Sequence, residues 1–179
     1  MRSPSLLAVL GLGFALLGAS RPACAQSGTA SMQVLVEVSN VQVSIAPLSQ
    51  LRFGVVIPGV ARTVSPQTSA NAGKFEIRGA RRAEFTLSMT LPAELRAGAG
   101  PNAMPIAFGA TAGCYYQRDQ QNNCTTFDPA TTLTARIRPT PPPNNTMYVW
   151  LGGTVTPGGT QVPGSYVAVV TASVAYTGN

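Results

Sequence analysis

Reactive side chains are scarce in this chain. Of its 179 residues none is histidine, three are cysteine and six are acidic. Without an imidazole there is no ordinary general base near neutral pH and no nitrogen ligand for zinc. That removes most nucleophilic triads and most zinc sites. The six carboxylates are Glu37, Glu76, Glu84, Glu94, Asp119 and Asp128. Glu76 and Glu84 flank a turn that would bring them together, and paired carboxylates hydrolyse glycosides. Neither has surroundings that would split two carboxyl pKa values into an acid and a base. Outward glutamates that keep a hairpin soluble are the expectation. With no catalytic cysteine and no phosphate loop, the chain is expected to be no enzyme and to hold no cofactor or metal.

The cysteines point to a compartment rather than to catalysis. Arg2, the apolar run from Leu6 to Leu17 and the Ala23-Cys24-Ala25 site have the pattern of a secretory signal peptide, residues 1–25. The apolar run is too short to span a bilayer, so no membrane span is expected after cleavage. Residues 26–179 are then expected to be one domain, exported to the periplasm, the cell surface or beyond. Cleavage removes Cys24 and leaves Cys114 and Cys124. Nine residues lie between them, which is not the spacing of a redox pair, and in an exported chain they read as a structural disulfide. Ten basic and six acidic residues remain, a net charge of +4. Only Arg78, Arg81 and Arg82 cluster, without interleaved aromatics, so no nucleic-acid partner is expected.

The elements that would position these groups alternate with a period of two. Phe85, Leu87, Met89 and Leu91 alternate with Glu84, Thr86, Ser88 and Thr90, the cleanest half-buried strand in the chain. With Phe75 and Ile77 across the Gly79–Arg82 turn it reads as a hairpin. Leu51, Phe53, Val55 and Ile57 form a run ended by Pro58-Gly59. Leu133, Ala135 and Ile137 form another, with Thr134, Arg136 and Arg138 outward. Met147 to Leu151 is apolar on both faces, as a central strand would be. Thr140 to Pro143 is a stiff extended spacer. The last run, from Gly164 to Tyr176, places Tyr166, Ala168, Val170, Ala172, Val174 and Tyr176 on one face. A turn at Pro157-Gly158-Gly159 joins it to Trp150–Val155 as a C-terminal hairpin. No window shows a helical stripe. The fold class expected is an all-β antiparallel sandwich of about eight strands.

Three blocks carry a resemblance. The first is Leu51-x-Phe53-Gly54 with Ile57-Pro58-Gly59 and Thr63-Val64-Ser65-Pro66. The second is the Phe85–Leu91 strand running into Pro92. The third is Val149-x-Leu151-Gly152-Gly153-Thr154-Val155 with Val162-Pro163-Gly164-Ser165-Tyr166 and the strand ending in Tyr176. Together they resemble the DUF4402 family of bacterial exported proteins, which resemble fimbrial subunits. Gly164 and Tyr176 are twelve residues apart, the spacing that flanks the last strand of chaperone–usher pilins, although three residues follow Tyr176 here. The resemblance implies an immunoglobulin-like, pilin-like sandwich and a structural role in a fimbria-like or other surface assembly, including adhesion. The implied partners are other protein subunits and a periplasmic chaperone.

Two segments are candidates for that role. Within residues 26–40, Met32, Val34, Val36 and Val38 alternate as a donor strand would, or as the domain's own first strand. Gly164 to Tyr176 would then be the assembly strand that accepts it. A separate candidate is the stapled segment 109–129, where Tyr115, Tyr116 and Arg118 could contact a glycan or a surface protein. That alternative makes the chain a monomeric binding module. Trp150 is expected to be buried rather than to serve as a ligand platform.

Overall fold

The computed structural model describes residues 42–98, 100–138 and 145–178. The signal peptide, the Met32–Val38 segment and the Thr140–Pro143 spacer lie outside the described residues. Twelve strands carry the fold: β1 (Ser44–Ser49), β2 (Arg62–Val64), β3 (Gly73–Arg78), β4 (Glu84–Thr90), β5 (Glu94–Arg96), β6 (Ala103–Ala107), β7 (Gly113–Tyr116), β8 (Thr125–Phe127), β9 (Leu133–Arg136), β10 (Thr146–Leu151), β11 (Gly153–Val155) and β12 (Thr171–Tyr176). One 3-10 turn at Gln121–Asn123 is the only helical element among the described residues. Strands exceed the expected eight because β2, β5, β8 and β11 are three-residue pieces at the ends of turns. Every pairing is antiparallel.

A five-stranded sheet, ordered β1-β3-β10-β7-β8, faces a three-stranded sheet, ordered β12-β4-β9. The inward residues of both meet in the main core, where Ile77, Phe85, Leu87, Ile137, Met147 and Val149 are buried. Each such side chain contributes about 1.5–3 kcal/mol of burial. This is the sandwich that the alternation predicts. β10 is also apolar on its second face, as expected of a central strand. Trp150 is buried there with Val64, Ala72 and the Cys114–Cys124 disulfide. A third cluster, Met104, Ile106 and Val155, lies under a small sheet ordered β2-β11-β6-β5.

Four expectations are corrected. β3 and β4 do not form a hairpin: β3 pairs with β1 and β10, while β4 pairs with β12 and β9. Residues 79–83 arch from one sheet to the other, with Arg82 at φ 64°. Ile77 and Phe85 are therefore opposed across the core rather than side by side. The C-terminal hairpin is also absent, since β11 pairs with β2 and β6 whereas β12 pairs with β4.

The long last strand is shorter than its alternation. β12 begins only at Thr171, opposite Thr90, and upstream a single bridge joins Val167 to Arg96. Between these points Pro92 has no N–H to donate, and more residues separate Thr90 from Arg96 than separate Val167 from Thr171. The ladder cannot stay in register across that gap. Finally, residues 51–57 form no strand. Gly54 takes φ +66°, which breaks the alternation, so Val56 turns inward with Phe53 while Val55 and Ile57 are left exposed.

Candidate functional site

β1 and β12 are each paired on one side only among the described residues. β1 starts, and β12 ends, at the pole where residues 79–83 cross between sheets. The two strands thus run in opposite directions on either side of a gap. Beyond them the gap widens into a groove of about 1080 Å³. One wall is Pro47 to Pro58 and the other is Gln161 to Val170. Its floor is the third cluster, with Leu95, Met104, Ile106, Val155 and Tyr166. Val55 is 88 % exposed on one rim and Val169 is 80 % exposed on the other.

Local chemistry explains why both walls stand apart. The Arg62 guanidinium donates to the Val55 carbonyl at 3.2 Å, and the Gly59 N–H donates to the Pro157 carbonyl at 3.1 Å. The Gln161 amide donates to the Ala103 carbonyl at 3.1 Å and to the Tyr166 hydroxyl at 2.7 Å, and that hydroxyl donates to the Val162 carbonyl. These bonds tie the walls to the small sheet and to the turn that follows β11. Among the described residues no carboxylate lines the groove, and Arg52 is the one charged residue that does. It has no acid–base pair. What it offers is apolar surface flanked by strand edges, the requirements for taking up an extended peptide.

Of the predicted assembly strand, Tyr166, Ala168 and Val170 line the groove, and Gly164 lies at its end. Ala172, Val174 and Tyr176 instead pack on the main core. The Gly164–Tyr176 run therefore has two parts, one open and one built in. The floor residue Leu95 was not singled out by sequence, because its three-residue strand β5 is too short to show alternation.

Of the candidate binding-loop residues, the structure places Tyr115 and Tyr116 on a strand and Arg118 in the loop that follows. The tyrosines belong to β7 and point to opposite faces. Tyr115 packs on the main core, edge-on to Phe127 at 6.0 Å, while Tyr116 packs with Trp150 on the second face. Arg118 is exposed in the loop, with no ion pair among the described residues. The disulfide clamps the loop over Trp150. Asp119 adds an ion pair to Lys74 at 2.6 Å, with the ammonium 4.9 Å from the Tyr148 ring centroid. Gln121 donates to the Pro66 and Ser69 carbonyls at 2.7 and 2.9 Å. The loop is thus a lid on a second core.

The carboxylates do not pair. Glu76 holds Arg78 at 3.0 Å in one sheet, and Glu84 faces Arg136 at 3.7 Å in the other. The Glu76 carboxylate, by hydrogen bond and charge, raises the Arg78 guanidinium further above its ordinary value. Burial raises the Tyr148 phenol above its ordinary value, and the negative charges of Glu76 and Asp119 push the same way. No group of three or more metal-ligating side chains occurs among the described residues. None of their helices is long and apolar enough to cross a membrane. No protein-family model matches the chain, and no curated protein matches it.

Proposed function

We propose that the chain is an exported, non-enzymatic structural subunit of a fimbria-like surface assembly, one that accepts an extended segment of another subunit in the groove beside β12. One observation carries this reading. The sandwich is apolar and unpaired along one side, between Pro47–Pro58 and Gln161–Val170. Met32, Val34, Val36 and Val38 elsewhere in the chain have the alternation that such a slot would receive. An inserted strand would pair its backbone with the free edges, and every second side chain would cover Met104, Ile106 and Val155. The resemblance to DUF4402 proteins and pilins, together with the signal-peptide pattern, agrees with export and subunit assembly, and with a periplasmic chaperone that guards the groove until assembly.

The test is assembly by the purified mature chain. Ladders that survive cold SDS are expected, and they should be lost on deletion of residues 26–39 while the remaining domain stays folded. Added peptide spanning residues 30–40 should then bind the truncated domain. A chain that stays monomeric at high concentration, and whose domain unfolds on that deletion, would show the segment to be an internal strand and end the polymer reading.

A further inference from the structure

A second cleft, of about 370 Å³, opens at the other side of the sandwich, where β7 and β8 overhang the edge strand β9. We propose that it binds an acidic sugar residue. The site does not rest on the groove described above and shares no lining residue with it.

Three features define the ligand. The first is charge. Arg136 and Arg138 are two residues apart on an extended run, so they leave the backbone on the same face about 6.6 Å apart. Among the described residues Glu84 is the one carboxylate lining the cleft; it faces Arg136 at 3.7 Å, whereas Arg138 has no ion pair. Two cations against one carboxylate leave room for one negative charge. A guanidinium meets a carboxylate in a planar, two-point contact.

The second feature is the state of the β9 edge. The Gln117 side-chain amide donates to the Arg136 carbonyl at 2.9 Å and accepts the Arg138 N–H at 3.2 Å. Those are two of the backbone groups that an added peptide strand would use at this end of β9. With both occupied, this end of β9 is less open to strand addition, which turns the choice from an acidic peptide to a compact acid. The third feature is the remaining lining. Thr125 and Thr134 supply hydroxyls, and the edge of β7 at Tyr115 and Tyr116 borders them. Hydroxyls beside a tyrosine-bearing strand edge suit a polyol ring. The volume falls at the lower end of small-ligand sites, about 300–1,000 Å³.

The experiment is calorimetric titration of the purified chain with trigalacturonate and with 3′-sialyllactose. Galactotriose and lactose serve as uncharged counterparts, and hexaglutamate as the peptide counterpart. At least one acidic sugar should bind about tenfold or more tighter than its neutral counterpart and than hexaglutamate, the scale of one charge-assisted contact. Arg138→Ala should weaken that binding by about tenfold with an unchanged melting temperature, and Arg138→Lys should recover only part of it. The proposal is overturned if neither acidic sugar binds at about 20 mM, well above the millimolar affinities of weak subsites. It is equally overturned if the neutral sugars or hexaglutamate bind as tightly, or if Arg138→Ala leaves binding unchanged.

Discussion

The hydroxyl of Tyr176 accepts the backbone N–H of Ala80 at 2.6 Å, so the end of β12 is fastened to the arch that joins the two sheets. Gly79 beside it leaves no room for a side chain: a Cβ there would sit 2.8 Å from the Tyr176 oxygen. Tyr176 therefore acts inside the domain, closing one pole. Tyr176→Phe should lower stability by about 1 kcal/mol, the worth of one such hydrogen bond. Urea titration measures that loss. The SDS-stable ladders should persist in this variant, because the groove lies toward the opposite end of β12.

Groove and fold are separable by substitution. Ala168 is exposed on the groove wall, where a long charged side chain meets no buried neighbour in the isolated domain. Ala168→Arg should leave the melting temperature nearly unchanged, since exposed substitutions fall within about 0.5 kcal/mol. The same variant should stop ladder formation by placing a cation where an apolar segment would lie. Ladders of unchanged length in Ala168→Arg would place the contact elsewhere.

Gly152 and Gly159 make a paired prediction. A Cβ on Gly152 would lie 2.2 Å from the Val64 carbonyl oxygen and 2.8 Å from Pro66, all of it backbone or proline ring. A Cβ on Gly159 meets nothing within 4 Å. Gly152→Ala should destabilise by about 3 kcal/mol, at the upper end of overpacking, and Gly159→Ala by well under about 1 kcal/mol. Thermal melts of the two variants decide it.

The disulfide is expected to stabilise by about 2–3 kcal/mol through closure of its short loop. Its loss should also be visible optically. Reduction, or Cys114→Ser with Cys124→Ser, frees the lid over Trp150 and should shift tryptophan emission to the red. An unshifted spectrum in the reduced protein would mean that Asp119–Lys74 and the Gln121 bonds hold the lid without it.

Tyr148 makes the stability of that second core sensitive to alkali. Its phenol titrates above its ordinary value of 10 in the folded chain, first because it is partly buried and then because Glu76 and Asp119 oppose a further negative charge. The folded state then holds the proton that the unfolded state releases. The associated stability is whole below pH 10 and declines as pH rises toward the folded value. Tyr148→Phe should flatten the fall of stability above pH 10, measured by denaturant titration at several pH values.

Several of the longer strands were legible in the sequence. Phe85 and Leu87, Leu133 and Ala135, and the two-faced Met147–Leu151 run each lie where alternation or its absence puts them. Sheet membership was not legible. A five-residue connection between two strands with inward faces serves a hairpin or an arch equally well, and only the φ of Arg82 and the opposition of Ile77 and Phe85 decide for the arch. The groove was half legible. Tyr166, Ala168 and Val170 were on the page as a core-facing stripe, but the break opposite Pro92 that leaves them uncovered depends on register across distant strands. Gln117 gave no signal, because a lone amide between Tyr116 and Arg118 has nothing in its type or spacing to distinguish it.

Gln117 has one more effect. A sandwich can adhere to its own kind wherever a strand edge is bare, and several bare edges would let copies stack in sheets and precipitate. In this molecule β2 and β8 are three residues long, the end of β9 is capped by the Gln117 amide, and β5 is met by Val167. Under the proposed assembly, copies joined on the side bounded by β1 and β12 would make an unbranched thread, with the Gln117-capped flank left facing the surroundings.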